Sequence, residues 1–241
     1  TMNKLLVGLA AAALSALTAG AAYAAPTTFF GQDQNPGSST INSDAAHTQF
    51  LSNLSSGVGT ENFEGIAGGN YGSLALTFPG STGNITANLS GSLLICTTNG
   101  CGGAGRFATS GTHYLDTTDN FTLTFSSPIS AFGFYATDLG DINGDLTLLL
   151  TGGGTVNFTV PTAGSADGNQ LFWGFIDPLQ SYSGIQFGNT ASGSDFFGFD
   201  DMIIGDLGQV QIGVPEPGAL AMLGMGLLGM LSLVLLRRRL D

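Results

Sequence analysis

Apolar residues recur at every second position through much of this chain, and that period predicts strands rather than helices. Residues 121–125 read Phe-Thr-Leu-Thr-Phe, with Phe121, Leu123 and Phe125 on one face. The alternation resumes at Phe132 and Phe134 after Pro128, then at Leu146, Leu148 and Leu150, and at Val156, Phe158 and Val160. Ile185 with Phe187, and Phe197 with Phe199, complete the series. Glycine, asparagine, aspartate, serine and proline separate these runs, as turns require. Many short strands with almost no helix predict a mainly β fold, a β-sandwich of jelly-roll type, over residues 61–213. No internal repeat is evident, which disfavours a propeller or solenoid. One segment, 43–54, has helical spacing: Ser43 as cap, Asp44 at the positive end, and Ala46, Phe50, Leu51 and Leu54 on a shared face. His47 is expected on its surface. Residues 27–40 read as irregular, so 25–60 is expected to be a lead-in with one short helix.

Both ends depart from this pattern. Lys4, an apolar run over 5–22 and the small residues of Ala22-Tyr23-Ala24 predict a signal peptide over 1–24, cut after Ala24 by signal peptidase. Near the other end, residues 218–236 form an apolar run without charge, Asn or Gln. At about 1.5 Å per residue it nearly spans the ~30 Å core of a bilayer as a transmembrane helix. Arg237, Arg238 and Arg239 behind it mark the cytoplasmic side. Pro215 and Pro217 keep the entry extended, so Glu216 is displayed at the outer membrane–water boundary. By themselves these features describe an ordinary C-terminal anchor. The order Pro215-Glu216-Pro217, apolar helix, arginine cluster resembles the PEP-CTERM sorting signal of Gram-negative bacterial envelope proteins. The resemblance covers residues 214–241 and concerns handling alone. It implies a precursor in the inner membrane, recognised by an exosortase, a membrane cysteine transpeptidase that cuts near the motif. The product would then reach the cell surface or the extracellular matrix.

Charge narrows the choice of partners. Of the 17 acidic and 5 basic residues in the chain, residues 25–213 hold all the acids but Glu216 and Asp241, and a single base, Arg106. So acidic a segment repels nucleic acid and anionic lipid. Its abundant Phe and aliphatic residues exclude disorder from charge.

Four groups are candidates for chemistry. Cys96 and Cys101, in an exported chain, predict a local disulfide. Asp138, Asp141, Asn143 and Asp145 form the densest polar cluster. The spacing of 141, 143 and 145 matches the start of a calcium loop, but glycine stands at 144 and 152 where the EF-hand pattern needs other residues. Asn143-Gly144 also reads as a hairpin turn between 132–136 and 146–150. Asp200 and Asp201 fall in the last strand, where period 2 sends one carboxylate inward; a metal ion or backbone amides must then compensate it. The segments 60–65 and 197–201 resemble the first and last strands of jelly-roll carbohydrate-binding modules, which implies a structural calcium held by Glu64, Asp200 and Asp201. Trp173, between Phe172 and Phe175, is the candidate platform for stacking on a sugar.

Motifs for catalysis are missing: there is no GxSxG, HExxH or GK[ST]. The chain therefore reads as a non-catalytic envelope or matrix module, with recognition of exopolysaccharide as the alternative.

Overall fold

A strand with one apolar face has to bury that face, and a sheet of such strands does so by curling over on itself. The computed structural model describes residues 25–211 apart from 141–143, 153, 163 and 192–194. The expected signal peptide, the Pro-Glu-Pro motif, the 218–236 run and the arginines at 237–239 lie outside the described residues. Within them the order is β1 (Thr27–Asp33), α1 (Ile41–Ser52), β2 (Gly59–Glu61), β3 (Gly69–Pro79), β4 (Asn84–Cys96), β5 (Tyr114–Thr118) and β6 (Thr122–Ile129). It continues with β7 (Ala131–Thr137), β8 (Leu146–Thr151), β9 (Val156–Val160), β10 (Gln170–Ile176), β11 (Tyr182–Asn189), β12 (Phe196–Gly205) and a 3-10 turn, Leu207–Gln209. No helix among the described residues is long and apolar enough to cross a membrane.

The strands form a single antiparallel sheet in the order β1-β10-β7-β12-β5-β4-β6-β11-β8-β9, with β2 added beside β12 and β3 beside β4. Rings from strands distant in that order meet inside. Phe134 on β7 lies 5.7 Å from Phe187 on β11, and Phe175 on β10 stacks on Phe158 of β9 at 5.3 Å. The sheet is thus curled, sandwich-like, around one large apolar core. All the alternating residues named above contribute to it.

A second core lies on the other face of β1, β10, β7 and β12, under α1. Strands β7 and β10 are therefore buried on both faces along their whole length. Phe50 of α1 sits over Gly133 and Gly174, which are register partners. A Cβ at either glycine would press on its ring, so the glycines are what let the helix approach.

Four expectations are corrected. Residues 27–33 are not irregular but pair along their length with β10, so the lead-in belongs to the sheet. The helix begins at Ile41, and Ser43 is not its cap. Instead the Asp33 carboxylate accepts the Asn42 and Ser43 amides at 3.1 and 2.8 Å. Those bonds outweigh burial and hold Asp33 below its ordinary pKa. His47 is half-buried, 5.2 Å from the Tyr135 ring and 5.0 Å from the Phe172 ring. Finally, β7 pairs with β10 and β12, while β8 pairs with β11 and β9. β7 and β8 are therefore not partners, so they do not form the expected hairpin.

Candidate functional site

A buried carboxylate needs donors, and with Arg106 the lone cation of residues 25–213, amides and hydroxyls supply most of them. Register between β12 and β7 shifts between Asp200 and Ile203, and Asp201 takes a left-handed φ of 46°. This bulge cancels the period-2 alternation. Asp200 and Asp201 consequently do not lie on opposite faces; both turn to the loop 97–113 between β4 and β5. Asp200 Oδ2 accepts the Thr109 and Ser110 amides at 2.7 and 3.3 Å, and Oδ1 accepts the Asp201 amide at 2.8 Å. The Ser110 hydroxyl donates to Asp201 at 2.7 Å. The Thr109 hydroxyl lies 3.0 Å from Asp200 Oδ2 and 2.9 Å from Asp201 Oδ2. One hydroxyl hydrogen is thus shared between two carboxylates, an arrangement that favours the protonated form of Asp200. Burial, then the neighbouring Asp201 charge, push the Asp200 pKa up to about 7 against the pull of the amides.

Glu64 holds the next part of the same loop. Its Oε1 accepts the Thr112 and His113 amides at 2.5 and 2.6 Å. Those two bonds, His113 first, draw its pKa down. Glu64 and the Asp200–Asp201 pair therefore meet on one loop, through residues 109–113.

The loop's near end is closed by the Cys96–Cys101 disulfide, as expected. The next strand starts only at Tyr114, so the bridge opens a long loop. Arg106 lies beneath it, donating to Asp116 and to the Gly102 carbonyl, both at 2.8 Å. Its Nε is 3.8 Å from Asp138, and its guanidinium carbon lies 5.6 Å from the Phe196 ring centre. A Cβ at Gly102 would strike the Asp116 carboxylate, and one at Gly105 the Asp138 carboxylate. The glycine-rich 100–105 stretch is thus what lets the loop pass over these ion pairs. Among the described residues, the non-glycine positions with positive φ are Phe63, Asp138 and Asp201. Each is one of these acids or its immediate neighbour.

These surroundings do not fit a calcium ion at Glu64, Asp200 and Asp201, because N–H and O–H donors already face both Asp200 oxygens, both Asp201 oxygens and Glu64 Oε1. Among the described residues no group of three or more His, Cys, Asp or Glu converges as a metal-holding set. At the alternative place, Asp138 accepts the Gly168 amide at 2.8 Å and faces Arg106. Asp145 accepts the Thr162 amide at 2.8 Å, and Asp141 lies outside the described residues. A guanidinium beside Asp138 opposes a second cation there.

Trp173 is not a platform. It is 2 % exposed and packed against Phe134, Phe158 and Phe175. Double burial of β10 leaves it no route to solvent. The exposed phenylalanines are Phe30 and Phe196.

One broad surface carries no charge at all. Strands β3, β4, β6, β8, β9 and β11 contain no Asp, Glu, Lys, Arg or His. Their outward positions register across the sheet as Ser73–Ser90–Thr122–Gln186–Leu149–Asn157 and, beside it, Ala75–Asn88–Thr124–Gly184–Thr151. All of these but Leu149 and Gly184 are exposed. Pairing between distant strands assembles this face, which is why no local pattern announces it.

No protein-family model matches the chain, and no curated protein matches it. Two solved structures are distantly similar, each 12 % identical. The K2 cleaved adhesin domain of Lys-gingipain aligns with a TM-score of 0.35 over 62 % of this chain and 98 % of its own. TmCBM61, solved in complex with β-1,4-galactotriose, aligns with a TM-score of 0.26 over 60 % of this chain and 93 % of its own.

Proposed function

We propose that the chain is the precursor of an exported, non-catalytic β-sandwich module, jelly-roll in type, that serves at the cell surface or in the extracellular matrix. The observation that carries this reading is how its carboxylates are used. Asp33, Glu64, Asp177, Asp200, Asp201 and Asp206 each accept hydrogen bonds from amides or hydroxyls of a loop or helix end. Each thereby pins a loop or a helix end, and this architectural use supports the non-catalytic reading. The Cys96–Cys101 bond supports an oxidising compartment.

In this reading signal peptidase removes residues 1–24, and residues 218–236 hold the precursor in the inner membrane. An exosortase then cuts near Pro215-Glu216-Pro217. Mass spectrometry of envelope and medium fractions from an exosortase-bearing host tests it. The expected mature C-terminus lies near that motif, and Pro215→Ala with Glu216→Ala traps the uncut form in the membrane. Peptides containing intact Arg237–Arg239 as the main mature species would reduce the segment to a plain anchor. A second reading, binding of exopolysaccharide, is favoured by the uncharged sheet face.

A further inference from the structure

We infer that this uncharged face, on strands β3, β4, β6, β11, β8 and β9, binds a neutral polysaccharide chain through hydroxyl and amide hydrogen bonds rather than aromatic stacking. The inference rests on the second reading above and names both its surface and its ligand class. Charge is the first observation. The chain has a net charge of −12, yet six neighbouring strands carry no charged side chain. Natural sheets place charges on exposed strands to keep them from pairing with other chains, and β3 and β9, which end this part of the sheet, have none. A face cleared of charge does not repel a neutral chain and gains nothing from an ionic one.

Free hydrogen-bonding capacity is the second observation. Most of the Asp side chains around the loops accept hydrogen bonds from within the protein. By contrast, Asn88, Ser90, Thr122, Thr124, Asn157 and Gln186 make no side-chain hydrogen bond among the described residues. Amides and hydroxyls both donate and accept, as sugar hydroxyls do. Strands about 4.8 Å apart repeat those groups across the sheet, so a chain lying across the strands meets one new group at each step. Gly184 and Gly188 remove side chains from the middle of the face, where a Cβ on either would sit 3.0–3.1 Å from a threonine hydroxyl. The result is a shallow trough lined by Thr147, Leu149, Asn157, Gln186 and Gly188. A second copy of the chain is the other occupant to consider. Two such acidic molecules repel one another at long range, which favours the glycan.

The test is native gel electrophoresis of the full chain in detergent, through gels containing dextran, β-1,4-galactan or alginate. The two neutral polymers are expected to retard it and the anionic alginate not to. Retardation should stay the same across a wide range of NaCl concentration, since no ion pair is involved. Replacing Thr122, Asn157 and Gln186 together by alanine should weaken binding about a hundredfold, at roughly fivefold per lost hydrogen bond. The melting temperature should hold, because all three side chains face solvent. Retardation by a neutral polymer that survives the triple variant would overturn this assignment and leave the glycan reading standing. No retardation by either neutral polymer would overturn both. A concentration-dependent dimer lost on Gln186→Lys, without glycan binding, would reassign the face to a second copy.

Discussion

Asp200 shows how far a single residue could be understood in advance. Its place in a strand demanded a partner for a buried carboxylate, and backbone amides were one of the two solutions open. The donors, Thr109 and Ser110, stand about ninety residues earlier in the chain, and the bulge that aims both carboxylates at them leaves no periodic trace. The consequence is a pH dependence. Unfolded, Asp200 ionises near 4; folded, it keeps its proton to about 7. Between those values the folded state binds the extra proton, so its contribution to stability is full below about pH 4 and is lost as pH rises through 7. The effect is on the order of a few kcal/mol. Asp200→Asn should be less stable than wild type at pH 5, since its NH2 group must face an amide donor. The gap should then narrow towards pH 8. Denaturant unfolding of both proteins from pH 4 to 8 measures this, and parallel profiles would show that Asp200 is ionised throughout. His47 has the opposite sign: burial lowers its pKa against the Asp201 and Asp44 charges, so its contribution falls away as pH drops below about 6.5.

Among elements, legibility followed exposure on one face. Strands with a buried and a solvated side, such as β6 and β8, were readable from alternation alone. Strand β1 was not, because Thr27-Thr28 and Gln32-Asp33 flank its two phenylalanines and look like loop. Asn143-Gly144 misled for a different reason: turn chemistry says that a chain reverses, but not which strands pair afterwards. The loop 97–113 holds the lone cation of residues 25–213. Arg106 is nearly buried, and Asp116 beneath it is 3 % exposed. Burial raises the Asp116 pKa and Arg106 opposes that rise. Arg106→Met should therefore cost about 3 kcal/mol by stranding a buried carboxylate. Adding Asp116→Leu should recover most of the loss, since an apolar pair needs no donors. Chemical denaturation of the four proteins of this cycle gives the coupling energy, and additive losses would mean the ion pair contributes little. Gly102→Ala should behave like Arg106→Met, because its methyl group displaces the same carboxylate.

At the scale of the whole molecule, acidity was plain from composition, but its distribution was not. The acids gather on loops, on α1, and on β1, β2, β5 and β12, leaving the other eight of the twelve strands neutral. That crowding invites a cation, and calcium was the natural expectation from a first and a last strand that both carry carboxylates. The fold answers the crowding with protein donors instead. Calcium entering at Asp200 and Asp201 would have to evict the Thr109 and Ser110 hydrogen bonds and open the loop they hold. Among the described residues this leaves a cation the general screening of a net charge of −12, which acts through ionic strength. The melting temperature should accordingly rise to the same modest extent in NaCl, MgCl2 and CaCl2 at equal ionic strength, and a chelator should leave it unchanged. Site binding would look different: a hundredfold excess over the dissociation constant stabilises the folded state by about 2.7 kcal/mol, far above screening at micromolar calcium. A calcium-specific rise abolished by Asp200→Asn would restore the ion to the loop clamp. One abolished by Asp141→Asn would place it in the segment 138–145, where the Arg106 guanidinium would have to move away from Asp138.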